Sequence, residues 1–205
     1  MIITSFQGKD NLDKRQIEES ELLLDKLDFS NKKVLEIGCG LGRWASFFHD
    51  KCELYLGIDY SGNLIKLAED NFNYENCYFQ ELTALDIDKE NLIIEPPFDI
   101  IFITGLLIYL NDEDIRILIN KINALFGDNK TIYIRETISV MDSRLTLKEF
   151  YSDDLKEEYN AIYRTKNELL EFFKEFDNIS DIEMGPIFES LNRHSETGYQ
   201  YFILE

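Results

Sequence analysis

The sequence predicts a single α/β domain built on a seven-stranded, mostly parallel sheet flanked by helices. Three observations lead there. Short apolar runs rich in Val, Ile, Leu and Phe alternate with amphipathic stretches from Lys32 to about Glu136, the rhythm of strands joined by helical crossovers. A glycine-rich bend, GCGLG, directly follows the first of those runs. No Gly/Ser linker, low-complexity tract or internal repeat divides the 205 residues. With 44% apolar and 13% aromatic residues, a chain of this length can build its own core without a metal or disulfide staple.

The elements follow in order. A helix is expected over about 14–28, where Ile17, Leu22, Leu23 and Leu27 share a stripe and Glu18, Glu19 and Asp25 stay in water. Strand and helix then alternate through KKVLEIG, LGRWASFFHD, CELYLGID, SGNLIKLAEDNF and NCYFQEL. A fourth strand, FDIIFIT, spans Phe98 to Thr104, and Asn111 or Asp112 caps a helix reaching Leu125. Gly127 and Asn129 make a turn into a fifth strand over 130–136, and two more strands lie near 179–184 and 199–204. The stretch 137–178 is too long for a bare turn, and it predicts a helical cover over the sheet edge. Within it, Leu169, Leu170, Phe172, Phe173 and Phe176 form a packing face, while Phe150, Tyr151, Tyr159 and Tyr163 suit either lid packing or contact with a ligand.

Composition narrows the function classes. The formal charge is 21 − 40 = −19, with basic residues scattered singly among acids, which disfavours a nucleic-acid partner. Three cysteines (Cys39, Cys52, Cys77) and two histidines support neither a disulfide framework nor a metal site, so the cysteines read as reduced thiols. The N-terminal stretch turns polar within a few residues, and no run of about 18 apolar residues follows. The expectation is a cytoplasmic protein with no membrane segment; its oligomeric state is left open.

The segment with chemical content is VLEIGCGLGRW, Val34 to Trp44. Glycines at 38, 40 and 42 between a buried strand and a helix permit unusual dihedrals and close approach of a ligand to backbone N–H groups. A dinucleotide fingerprint would place its third glycine at position 43, where Arg43 stands, and no Lys-Ser or Lys-Thr pair completes a phosphate-binding loop. Asp59 ends the next strand 19 residues beyond Gly40, where a carboxylate can accept both hydroxyl hydrogens of a ribose. A nucleoside is the ligand best matched to this pattern.

At these residues the sequence resembles the class I S-adenosylmethionine-dependent methyltransferases, of small-molecule type. Glu36-Ile37-Gly38-Cys39-Gly40-Leu41-Gly42 is similar to their first motif and Gly57-Ile58-Asp59-Tyr60-Ser61 to their second, over roughly 32–136 with a looser match at the terminal strands. The resemblance implies a Rossmann-like sheet with an antiparallel last strand and S-adenosyl-L-methionine as cofactor. It also implies that Gly38, Gly40 and Gly42 line the methionine portion and ribose, Asp59 binds the ribose diol, and Tyr60 flanks the adenine. Glu36 would orient the loop or the cofactor amine. After strand three Leu82 stands where the family often has an acid, so the Leu82 and Thr83 backbone, or an inward Glu81, would meet the adenine. Thr104, Gly105 and Leu106 would flank the donor methyl.

For the acceptor, Tyr109 resembles a His or Tyr position of several small-molecule methyltransferases and could orient the substrate, or simply pack its helix. Glu136, at the rim end of strand five, could bind an amine or accept its proton, or else cap a helix or pair with Arg135. His194, in the loop before the last strand, could act as a base or remain an exposed loop residue. Arg144, Arg164 and Arg193 could clamp an anionic substrate or serve as ion-pair partners. Trp44 could wall a pocket or anchor its helix. The two covers should set which acceptors fit, and the expected reaction is methyl transfer to nitrogen or oxygen of a small metabolite, such as a biosynthetic sugar or natural-product precursor. The alternatives are methylation of a protein or peptide side chain, and a non-catalytic nucleoside-binding or scaffold protein.

Overall fold

The computed structural model describes residues 8–152, 157–192 and 194–205. Helix α1 (Gly8–Lys26) precedes β1 (Lys33–Ile37), α2 (Ala45–Phe48), β2 (Leu54–Asp59), α3 (Gly62–Asn71) and β3 (Cys77–Glu81). Then come β4 (Phe98–Thr104), a 3₁₀ turn (Leu107–Tyr109), α4 (Asp112–Asn123) and β5 (Phe126–Ser139). The C-terminal part holds β6 (Leu145–Ser152), β7 (Glu157–Tyr163), α5 (Lys166–Phe173), β8 (Ile182–Ile187) and β9 (Thr197–Leu204).

Seven strands form one sheet in the order β3-β2-β1-β4-β5-β9-β8. Strands β1 to β5 are parallel, and β9 runs antiparallel between β5 and β8. The chain reverses direction across the sheet between β1 and β4, and the crevice outside the carboxyl ends of strands at such a point is where open α/β sheets bind ligands. Alternation along each strand divides the core in two. Leu35, Ile37, Ile101, Ile103 and Ile134 face α4 and α5, while Val34, Tyr55, Phe102 and Tyr133 face the aromatic cluster of Trp44, Phe47 and Phe48.

The cover between β5 and α5 departs from the expectation. Leu145–Ser152 and Glu157–Tyr163 form an antiparallel β6–β7 pair, and among the described residues of the cover only Lys166–Phe173 are helical. The period-two pattern of Leu145-Thr146-Leu147-Lys148 favours a strand over a helix. Thr165 and Glu168 then form a capping box that starts α5, and Ser139 bridges to Thr165, fixing the cover to the end of β5. The side chains of Phe150 and Tyr159, and residue Arg193, lie outside the described residues.

Other boundaries moved as well. Helix α1 begins at Gly8, and β5 begins at Phe126, ahead of the expected turn at Gly127 and Asn129. Helix α2 is one turn long, because successive turns from Cys39 to Ala45 occupy the segment where its start was expected. Asn111 is the cap of α4, accepting the Glu113 and Asp114 N–H groups at 2.9 Å each, which frees Asp112 for other partners. Trp44 is a core anchor, buried against Phe47 and Phe102.

Candidate cofactor and acceptor site

The bend after β1 and the end of β2 are bonded to each other. Gly38 and Cys39 N–H groups donate to the Ile58 carbonyl at 2.8 and 2.9 Å, which draws the bend over β2. The Gly40 N–H donates to Asp59 Oδ2 at 3.0 Å and the Ser61 N–H to Asp59 Oδ1 at 2.9 Å. Each carboxylate oxygen thereby takes one amide and keeps acceptor capacity for a ligand hydroxyl. Two of the glycines need their lack of a side chain for different reasons. Gly42 has φ +71°, and a Cβ there would fall 2.5 Å from the Phe79 ring and 2.8 Å from Ala68, so it is a packing glycine. Gly40 has φ +54° and open space where its Cβ would be, which leaves its surface accessible to a ligand.

Around this pair, Tyr60 is 76% exposed beside Asp59, as a ring available for stacking would be. The Leu82 N–H donates to the Asp59 carbonyl at 2.9 Å, and Thr83 Oγ1 accepts the Leu85 N–H at 3.1 Å inside its own turn. The Glu81 carboxylate folds over the start of α3, where a Cβ on Gly62 would meet its Oε2 at 2.2 Å.

The loop after β4 is anchored to β5. Gly105, following Thr104, has φ +71° and donates to the Arg135 carbonyl at 2.9 Å. Leu106 and Leu107 N–H groups both donate to Glu136 Oε1 at 2.7 Å. Glu136 Oε2 is buried without a hydrogen-bond partner, and Glu136 lines a small void together with Leu107, Ile162, Arg164 and Leu169. Burial pushes the Glu136 carboxyl up to about 7, against the pull of the two amides. Burial likewise pushes Glu36 up to about 8, against the hydrogen bond donated by the Tyr55 hydroxyl.

Glu36, Gly38, Gly40 and Asp59 thus meet Thr104 and Gly105 around the switch point. Tyr109, half-exposed, ends the 3₁₀ turn that Glu136 holds from below. His194 is exposed on another loop, which Asn192–Thr197 and Val140–Glu196 bonds tie to the β5–β9 end of the same rim.

The arginines divide. Arg164 is 1% exposed and donates to the Leu107 and Leu110 carbonyls at 2.9 and 2.7 Å and to Asp112 Oδ1 at 2.7 Å; Arg144 pairs with Asp112 and Glu168. These two are ion-pair partners that staple the cover to the post-β4 loop.

Sequence reasoning passed over a second cluster beneath α1. Glu19, expected in water, is 2% exposed, because it accepts the Tyr133 hydroxyl at 2.7 Å and Arg135 Nε at 3.1 Å. Arg15 donates to the Tyr199 hydroxyl and lies over the Tyr199 ring, 4.4 Å from its centroid. The signal was a lone arginine in the apolar strand IYIRETI, facing a glutamate within the predicted helix.

A parallel sheet reversing between β1 and β4, with a glycine bend over a β2 carboxylate, is the class I S-adenosylmethionine-dependent methyltransferase fold. Residues 34–128, a little under half of the chain, match the family model described as a methyltransferase domain. It is 32% identical over 130 residues to phosphoethanolamine N-methyltransferase 1 of Triticum aestivum, covering 62% of this chain. The chain spans about a quarter of that relative's length (25%). Among solved structures, the N-methyltransferase NodS of Bradyrhizobium japonicum aligns with TM-score 0.67 at 14% identity over 95% of this chain and 97% of that one. A Haemonchus contortus phosphoethanolamine N-methyltransferase, in complex with phosphoethanolamine and S-adenosylhomocysteine, aligns with TM-score 0.68 at 16% identity over 94% of this chain and 43% of that one. At these identities the two structures speak to the fold. Among the described residues, no helix is long and apolar enough to cross a membrane.

Proposed function

We propose that this protein transfers a methyl group from S-adenosyl-L-methionine to the nitrogen of a small metabolite, an oxygen acceptor being the variant of the same chemistry. The observation that carries the reading is Asp59, held by the Gly40 and Ser61 amides with one acceptor site left on each oxygen and Gly40 open above it. That arrangement fits a ribose diol and the rest of a nucleoside.

When bound, the cofactor supplies an activated methyl on a sulfonium, which becomes a thioether as the methyl leaves. The protein's task is to align donor and acceptor, and orientation of this kind can remove on the order of 7–11 kcal/mol from a barrier for well-placed groups. Tyr60 flanks the base, and the Gly38 and Gly105 turns, on either side of the switch point, border the methionine portion. Tyr109 orients the acceptor, and Glu136 positions the loop that carries Tyr109 through the Leu106 and Leu107 amides. Glu136 Oε2 and His194 are the groups that can take the proton an amine sheds. The names of the N-methyltransferase relatives favour an amine over a hydroxyl, and the three buried thiols, none in a disulfide, support a cytoplasmic setting.

Calorimetry with S-adenosylmethionine and S-adenosylhomocysteine tests the cofactor reading, and mass spectrometry of amine and hydroxyl acceptors then reads the methylated atom. Binding of both cofactor forms is expected. Binding of neither would overturn the proposal.

A further inference from the structure

Three arginines from three separate elements gather between α1 and the end of β5. The Arg15 and Arg135 guanidinium carbons lie 5.5 and 5.8 Å from the centroid of one ring, Phe188. Arg43 follows Gly42 in the bend, and its backbone carbonyl accepts Gln16 Nε2 of α1 at 3.2 Å. Desolvation first, and then repulsion from the neighbouring guanidiniums, lowers the Arg15 and Arg43 pKa values, while Glu19 raises that of Arg135.

Their partners do not balance them. Glu19 is the one carboxylate bonded to a member of the cluster, through Arg135, among the described residues. Glu18 accepts the Phe188 N–H at 2.8 Å instead, and Glu36 is occupied by the Tyr55 hydroxyl. Arg15 Nε is buried with no acceptor, and the Arg43 guanidinium donates no hydrogen bond among the described residues. Among the described residues two of the three guanidiniums are bonded to no carboxylate, Glu19 and Glu36 acting on Arg43 only through space, and such a pair beside a third marks a place where an anion arrives from outside. The cluster also borders the donor site, since a Cβ on Gly105 would lie 3.4 Å from Arg135 Nη1.

We infer that Arg15, Arg43 and Arg135 bind a phosphate-class oxyanion carried by the methyl acceptor. The inference rests on the methyl-transfer reading and adds the substrate class. Two unmatched positive charges correspond to a phosphate dianion, whereas the cofactor's own carboxylate carries one negative charge. Guanidiniums supply planar paired donors suited to such oxygens. Helix α1 therefore contributes part of the acceptor site, with the anion fixed under it and the nucleophilic end directed toward Gly105.

The test uses protein loaded with S-adenosylhomocysteine, titrated with inorganic phosphate, ethanolamine and phosphoethanolamine. Phosphate is expected to bind, and phosphoethanolamine to bind at least tenfold more tightly than ethanolamine. Arg43→Gln, which breaks no ion pair, should weaken phosphate and phosphoethanolamine at least tenfold while ethanolamine is unaffected, and Arg43→Lys should restore part of the loss. Arg15→Gln should reproduce the effect if Arg43→Gln fails to fold. Failure of phosphate to bind, or binding indifferent to both substitutions, would overturn the inference. So would an Arg43→Gln variant that loses affinity for S-adenosylhomocysteine but not for 5′-methylthioadenosine, because the cluster would then hold the cofactor's carboxylate. The methyl-transfer reading fails separately, by loss of cofactor binding in the unmodified protein.

Discussion

The two faces of the sheet each bring arginine to the rim, and they use it in opposite ways. On the α5 face, Arg164 is fully buried and its donors are taken up by two carbonyls and Asp112. On the α1 face, Arg135 shares Glu19 with a tyrosine, while Arg15 Nε and the Arg43 guanidinium lack acceptors among the described residues. A saturated guanidinium is part of the scaffold, and an unsaturated one beside a ligand site is available for binding. The cost of burying charge makes this distinction physical: an arginine without its acceptors is tolerated where another molecule can provide them.

Substitutions should separate the two faces. The largest effect is expected from Arg164→Gln, which leaves Asp112 to Arg144 alone and strips the buried Leu107 and Leu110 carbonyls of their donors. Loss of about 3 kcal/mol or more of stability in urea unfolding is anticipated. Arg43→Gln should stay within about 1 kcal/mol of the parent in the same experiment. Equal losses would erase the contrast.

The buried carboxyls provide a second comparison, read by pH. Glu36 and Glu136 hold their protons to about 8 and about 7, above the ordinary 4.5 of the unfolded chain. The native state then binds more protons than the unfolded state through that range. Their contribution is full below pH 4.5 and is lost as pH rises through 7 to 8, on the order of a few kcal/mol for each group. Glu36→Gln and Glu136→Gln should each flatten the fall of stability between pH 5 and 8 relative to the parent. A parent protein whose stability rises over that interval, with variants that follow it in parallel, would contradict the assignment.

Asp59→Ala removes the acceptor of two backbone N–H groups and of the proposed ribose diol, so cofactor affinity should drop by about tenfold to a hundredfold in calorimetry. Unchanged affinity in a folded variant would reject the ribose role. The smallest effect is expected at Tyr109→Phe, with turnover reduced several-fold and cofactor binding untouched. Equal turnover would return Tyr109 to a packing role.

Much of the cofactor half was legible because its signals are local. A glycine bend and a carboxylate at a fixed spacing need only two adjacent strands to bring them together, and the alternating apolar runs specify those strands. The cover was misread as helical because its aromatic and acidic residues satisfy both periods until the alternation at Leu145 to Lys148 is weighed. Glu136 was located, but its grip on the Leu106 and Leu107 amides depends on how β4 and β5 align, a register that a strand pattern does not contain.

By itself, the sequence determined the strand and helix alternation, the ligand end of the sheet, and the meeting of Gly40 with Asp59. These follow from periodicity and from conformations that only certain residues adopt. Tertiary structure alone decided that Glu19 leaves water to hold Arg135, that Arg164 is spent as a staple, and that Arg15 and Arg43 are left wanting an anion. The reason is that a charge's role depends on how many partners surround it in space, and those partners come from elements more than a hundred residues apart, as Glu19 and Arg135 do.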